Sequence, residues 1–217
     1  MLATTSRRRE QKQATRAHLF DVAMRLFDLK GYDAVNIDDI VRASKVARGT
    51  FYFHFPGKED ILYEAVRRGE LEIVAQMAAV PEGAPLRDVL AATCDGFAAI
   101  WGERRELLVQ AGMVGLRRTI STERARAEEP LRLELLPRVE RALAQGELGS
   151  VLPAQMLADV FLLNVFAALM AWAPVGEPSL GVVMPGVIDL FLRGAEGFRM
   201  PIRSVKKKRK TRASAKR

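Results

Sequence analysis

The chain reads as an all-α protein, and three observations predict it. Apolar residues recur at three- and four-residue spacing over long segments, the period of a helix with one buried face. No segment shows the two-residue alternation of a half-buried strand. Gly and Pro punctuate the chain at intervals that leave helix-length segments between them. With 217 residues and 49% apolar content, it can build a substantial core.

The first helix is expected from about Gln13 to Lys30, with Leu19, Phe20, Ala23, Leu26 and Phe27 as its apolar stripe and Gly31 as its stop. Asn36 caps the next helix, and Asp39 three residues later suggests a capping box. Ile37, Ile40 and Val41 turn inward. A second short helix, aromatic and basic, follows through Phe55, with Phe51 and Phe55 assigned to the core. After Pro56-Gly57, Lys58-Glu59-Asp60 opens a long helix that reaches about Val80. The loop Val80–Pro85 precedes a stripe running from Leu86 to Trp101. Further helices are predicted at 104–118, 121–145, 153–173 and 184–199.

The stretch Asn36–Phe55 carries the function. Two short helices across a tight turn, the second basic and aromatic, suit insertion into the DNA major groove. Arg48 can read guanine with two hydrogen bonds, and Thr50 can offer its hydroxyl or methyl. Gly49, Tyr52, Phe53 and His54 belong to the same helix.

These residues also resemble the N-terminal domain of tetracycline-repressor (TetR) family regulators. The resemblance rests on Ala23…Leu26-Phe27…Gly31-Tyr32, Ile37…Ile40, Val46-Ala47-Arg48-Gly49-Thr50-Phe51-Tyr52-Phe53-His54-Phe55 and Lys58-Glu59-Asp60-Ile61-Leu62, and covers roughly residues 14–66. It implies that Tyr52 and Lys58 hold phosphates and that Asn36 stands at a phosphate-binding helix start. Two positions depart from the family. Lys45 replaces the usual turn glycine, at a cost of roughly 1 kcal/mol if φ is positive. Ala47 replaces a capping Ser or Thr, worth about 1 kcal/mol. Lys45 adds a cation beside the DNA.

The resemblance divides the chain into a basic arm at 1–12, a helix-turn-helix domain at 13–66, a helical ligand-binding and dimerisation domain at 67–202, and a basic tail at 203–217 expected to be disordered. Charge supports this division. The formal net charge is +8, yet 203–217 carries nine cations and no acid, and 1–16 carries a net +4, leaving 17–202 with a net −5. Basic ends on a mildly acidic body suit a polyanion held by arms, or simply aid solubility.

Met77, Phe97, Trp101, Met113, Phe161, Asn164 and Phe166 are candidates to line a ligand cavity, with core packing as the plainer role. Val160–Ala173 is apolar on every side but for Asn164, and its 14 residues are too few to span a bilayer. Together with Val187, Leu190, Phe191, Gly194 and Phe198 it forms an expected dimer surface that includes Val160 and Ala167.

Cys94, the single cysteine, excludes an intramolecular disulfide and reads as a core residue. The Arg-rich N-terminus lacks the apolar segment of a signal peptide, so a cytoplasmic, nucleoid-associated protein without membrane attachment is expected. No His/Cys/Asp cluster has metal-ligand spacing, and no catalytic residue, metal or cofactor is expected. The expectation is therefore a regulator, most simply a repressor, that binds double-stranded DNA as a homodimer and answers to an unidentified small molecule. Two alternatives stand beside it: a ligand-independent DNA-organising protein of the same fold, and an enzyme built on the helical domain.

Overall fold

The structure is a computed structural model and describes residues 2–119 and 129–197. Among the described residues there are nine helices and no strand. They are α1 (Leu2–Lys30), α2 (Ile37–Ser44), α3 (Arg48–His54), α4 (Lys58–Ala79), α5 (Leu86–Trp101), α6 (Arg105–Thr119), α7 (Pro130–Ala144), α8 (Ala154–Trp172) and α9 (Leu180–Gly197).

Helix α1 starts well before Gln13, so the expected arm at 1–12 is mostly a continuation of the helix. No Pro or Gly interrupts Leu2–Gln13, and Glu10, Gln11, Lys12 and Gln13 are good helix formers. The helix stops where expected: Gly31 has φ of 80° and its N–H bonds the Phe27 carbonyl at 2.9 Å.

Helices α1–α3 form a small head on the first turns of α4, around Leu19, Phe27, Ile40, Phe51, Phe55, Ile61 and Leu62. Beyond the head, α4 packs against α5, α6 and α7, while α8 lies against α6, α7 and α9. Helix α9 also packs on α5.

The expected helix at 153–173 is found as α8, that expected at 121–145 is described only from Pro130, 120–128 lying outside the described residues, and the start of α9 differs. Helix α9 begins at Leu180, four residues early, its first turn closed by the Ser179 carbonyl accepting from the Val182 and Val183 N–H groups, and it carries Pro185 inside it. The apolar run from Val160 is part of a 19-residue helix, α8, which is long and apolar enough to cross a membrane by length and composition. Its face of Leu157, Phe161, Val165 and Leu169 is instead buried against its neighbours. Phe198 and the basic tail lie outside the described residues.

Candidate functional site

Local geometry positions the α2–turn–α3 unit. The Asn36 side chain accepts from the Asp39 N–H at 2.9 Å, and the Asp39 carboxylate accepts from the Asn36 N–H at 3.2 Å, completing the expected capping box. Helix α2 ends on Lys45 at φ 56° and ψ 31°, the left-handed conformation expected where the family has glycine. Ala47 gives α3 no side-chain cap. The helix begins at Arg48 nonetheless, held by a 2.9 Å bond from the Thr50 N–H to the Ala47 carbonyl.

Helix α3 is sharply two-faced. Phe51 is buried beside Phe55. Arg48, Gly49, Tyr52 and Phe53 are exposed, and Thr50 is half-buried. Lys45 and Asn36, which cap opposite ends of α2, are exposed. His54, expected with the outward polar residues, is turned inward and buried. Burial, and then the charges of Arg16 and Lys12, hold its imidazole below its ordinary pKa. A buried neutral ring cannot reach a base edge. Lys58 is also engaged: its ammonium donates to the Tyr32 and Val35 carbonyls at 3.0 and 3.1 Å and lies 4.2 Å from the Tyr32 ring centroid.

Arg48 is exposed but not idle. Its guanidinium pairs with Asp38 at 2.6 Å and lies over the Tyr52 ring at 5.8 Å. The Tyr52 hydroxyl first, and Asp38 second, push its pKa above the ordinary value. Lys12 sits 4.6 Å over the exposed Phe53 ring, so the basic start of α1 runs beside α3.

Sequence reading missed the residue that fixes α3 to the rest of the head. Arg16 donates to the His54 carbonyl, pairs with Glu64 on α4, and stacks 4.1 Å over Phe55. Glu64 also pairs with Arg68 at 2.5 Å, whose guanidinium lies 3.7 Å over Phe20. One network therefore joins α1, the end of α3 and the second turn of α4.

A second candidate site is a cavity of about 150 Å³, partly open to solvent, lined by α4, α5, α6, α7 and α8. Phe97, Trp101 and Phe166 line it, as expected. The other four candidates do not. Met77 and Phe161 are fully buried core residues, Phe161 lying edge-on to Phe191 at 5.2 Å. Met113 is exposed, and Asn164 is half-buried off the lining.

The lining that spacing did not single out includes Val66, Glu70 and Ile73 on α4, Leu108, Ala111 and Gly112 on α6, and Asp159, Leu162 and Leu163 on α8. A Cβ at Gly112 would meet Met170 at 2.8 Å and Phe166 at 3.0 Å, so this glycine lets α6 and α8 approach closely. A signal existed in the acids. Glu70 falls in the apolar row Val66–Glu70–Ile73, and Asp159 in the row Asp159–Leu162–Leu163–Phe166.

Glu70 pairs with Arg67 at 3.0 Å, and Asp159 with Arg132 at 2.7 Å. Burial, then the charge of Glu129, lifts the Glu70 carboxyl to about 7 against the opposing Arg67. Cys94 is buried as expected, and its thiol is pushed up to about 12.

The expected dimer residues divide between two faces. Val187 and Phe191 point into the core. Val160, Ala167, Leu190 and Gly194 are exposed, in rows with Met156 and Leu163 on α8 and Val182 on α9. On α9 the inward and outward rows are neighbours, because apolar residues occupy adjacent positions such as Leu190 and Phe191; spacing alone does not separate them.

A braced helix-turn-helix head on an all-helical body with an internal cavity defines a DNA-binding transcriptional regulator. Comparison with known proteins gives the family. Residues 19–65 match the family of bacterial regulatory proteins described as tetR. The chain is 32% identical over 162 residues to the HTH-type transcriptional regulator AcrR of Shigella flexneri, covering 69% of this chain and 72% of that protein. It is 40% identical over 53 residues to LmrA of Bacillus subtilis, a match spanning 28% of LmrA. Its fold is that of FadR from Thermus thermophilus, a repressor solved with lauroyl-CoA, at a TM-score of 0.67, 19% identity, and coverage of 93% of this chain and 100% of that one. Bacillus subtilis FadR, solved with stearoyl-CoA, superposes at 0.64 with 20% identity, covering 82% of this chain and 98% of that one. The chain belongs to the TetR family of transcriptional regulators.

Proposed function

We propose that the protein is a ligand-responsive repressor which binds a near-palindromic operator as a homodimer in the cytoplasm. One observation carries the reading: two helices each touch the head and also wall the cavity. On α4, Glu64 and Arg68 grip Arg16 and Phe20 of α1, and through Arg16 the end of α3, while Val66, Glu70 and Ile73 line the cavity. At the start of α6, Arg104 pairs with Asp28 at 3.2 Å and Gln110 bonds Asp33 at 3.4 Å, while Leu108, Ala111 and Gly112 line the cavity. A ligand that prefers one setting of these helices thereby shifts the head between DNA-competent and incompetent placements.

The helix-turn-helix segment within 13–66 supplies the reading surface, with Arg48, Gly49, Thr50, Tyr52 and Phe53 outward and Asn36 and Lys45 beside the phosphates. Lys58 acts by holding the Tyr32–Val35 corner. The exposed rows of α8 and α9 pair with the same rows of a second copy. Gly186 and Gly194 have open space where a Cβ would stand, which permits close approach. A dimer so formed presents two recognition helices to successive major-groove faces, about 34 Å apart. The tail from Arg203 adds sequence-independent affinity for phosphates. Relatives that are transcriptional regulators support a non-enzymatic role.

The test is a genomic DNA selection with purified protein, followed by titration of the best site and of random duplex. Arg48→Ala should cost about 1–3 kcal/mol on the selected site and little on random DNA. Enrichment of no sequence, or an equal loss on both duplexes, would remove Arg48 from base reading.

A further inference from the structure

The cavity walls are mostly apolar, and their charged members have one sign. Among the described lining residues the ionisable groups are Glu70, Glu129 and Asp159, with no Lys, Arg or His. Arg67 and Arg132 reach Glu70 and Asp159 from outside the lining. The rings of Phe97, Trp101 and Phe166 face the same space. Aromatic faces and carboxylates both attract positive charge when water is excluded. An anion placed there would lose its hydration and meet like charge, two penalties with no compensating partner in the lining. The volume of about 150 Å³ admits a group near the size of a benzene ring, and the partly open mouth leaves room for a substituent on it.

We propose that the cavity takes a compact organic cation, a ring or branched alkyl group bearing a quaternary or protonated nitrogen, with Glu70 and Asp159 as counter-charge and the aromatic rings around the cationic head. The proposal rests on the reading of this cavity as the effector site, and it names the effector's chemical class. The raised pKa of Glu70 agrees with it in part: burial is its first cause, and the second, the charge of Glu129, also favours positive charge beside that carboxyl. It also sets this protein apart from the two FadR structures, whose acyl-CoA ligands carry anionic phosphates.

Three probes test it on the full chain: benzyltrimethylammonium, its neutral isostere neopentylbenzene, and the anion phenylacetate. Each is scored by calorimetry or fluorescence of Trp101, in a Trp172→Phe background, and separately by release of operator DNA. The expected result at pH 8 is a cation that binds at least about tenfold tighter than the isostere, equivalent to 1.4 kcal/mol. Glu70→Gln should erase most of that preference. Unchanged binding of neopentylbenzene shows that the variant is folded. Phe166→Leu should weaken the cation more than the isostere. Equal or tighter binding of the neutral or anionic probe overturns the proposal, as does a preference that survives Glu70→Gln, or no cation binding at millimolar concentration. If phenylacetate or neopentylbenzene binds and releases operator, the cation class falls while the effector reading stands. If the cation binds without changing operator affinity, the cation class stands and the effector reading falls.

Discussion

The two ends of α4 sit in differently built surroundings. Its first turns are held by directed polar bonds: Asp60 back to the Gly57 N–H at 2.9 Å, Lys58 to two carbonyls, and Glu64 to Arg16 and Arg68. From Val66 onward the same helix borders a void walled by apolar side chains and three carboxyl groups. Directed bonds fix one geometry, because each donor has few acceptors that satisfy it. Apolar walls around spare volume can repack at modest cost when something fills that volume. The head is thus tied to one shape, while the body has volume into which its walls can repack.

The largest expected effect breaks the body rather than the head. Phe191 is 3% exposed and packs on Phe161, whereas its neighbour Leu190 is 70% exposed. Phe191→Glu buries a charge without a partner and should cost about 4 kcal/mol or more, enough to unfold the domain. Leu190→Glu should leave the protomer's thermal melt nearly unchanged and convert dimers to monomers in sedimentation. A fully dimeric Leu190→Glu protein would remove this face from the assembly.

The next effect sharpens the contrast through pH. The Glu70 carboxyl, lifted to about 7 by burial and by Glu129 despite Arg67, binds a proton more tightly in the folded state than in the unfolded chain. Its contribution is therefore present at low pH and is lost as pH rises from the ordinary carboxyl range through 7, by ~3 kcal/mol at most. Denaturant titrations at several pH values should show Glu70→Gln flattening this slope. An unchanged slope would place the acid in a more hydrated setting.

A smaller loss is expected in the head. Arg16→Met removes the ties to the His54 carbonyl and to Glu64, although Arg68 still pairs with Glu64. The cost should be about 1–3 kcal/mol, read as weaker operator binding and faster amide exchange in α3. Binding in the cavity should persist. If the cavity loses affinity to the same degree, head and body are not separable in the way α4 suggests.

This contrast also explains what the sequence disclosed. The head was legible because its determinants are local. A cap at Asn36, a stop at Gly31, a left-handed Lys45 and the aromatic pattern of α3 all act within a few residues. His54 misled because α3 is so short that one residue's turn separates the inner from the outer face. Arg16 escaped notice because its partners lie 38 and 48 positions away in sequence. The cavity is assembled from five helices, and spacing identifies buried faces without saying where they fail to meet. Of its lining, only Phe97, Trp101 and Phe166 were distinguished by size. Glu70 and Asp159 stand as acids on apolar rows, but Arg67 sits three residues before Glu70, the spacing of an ordinary helix-surface pair, and Arg132 lies 27 positions from Asp159 in sequence. On α9, contiguous apolar residues hid which row faces out.

The smallest effect concerns the outer face of the head. In the free protein Arg48 is held by Asp38 at 2.6 Å, and both side chains are more than half exposed. Such an exposed pair contributes little stability. It must nevertheless be given up if Arg48 is to offer both arms to a guanine edge, so Asp38 competes with DNA for the same guanidinium. Removing the competitor favours every duplex that engages Arg48, and most of all the operator, where the whole pair is given up for the guanine edge. Asp38→Asn should therefore leave the melting temperature nearly unchanged and raise affinity for the operator, by a few-fold, at least as much as for random DNA. Asp38→Asn combined with Arg48→Ala should show no further change in random-DNA affinity beyond Arg48→Ala alone if the two residues act only through each other. Additive effects in that double mutant would mean that Asp38 repels phosphates directly, and the ion pair would then be incidental to recognition.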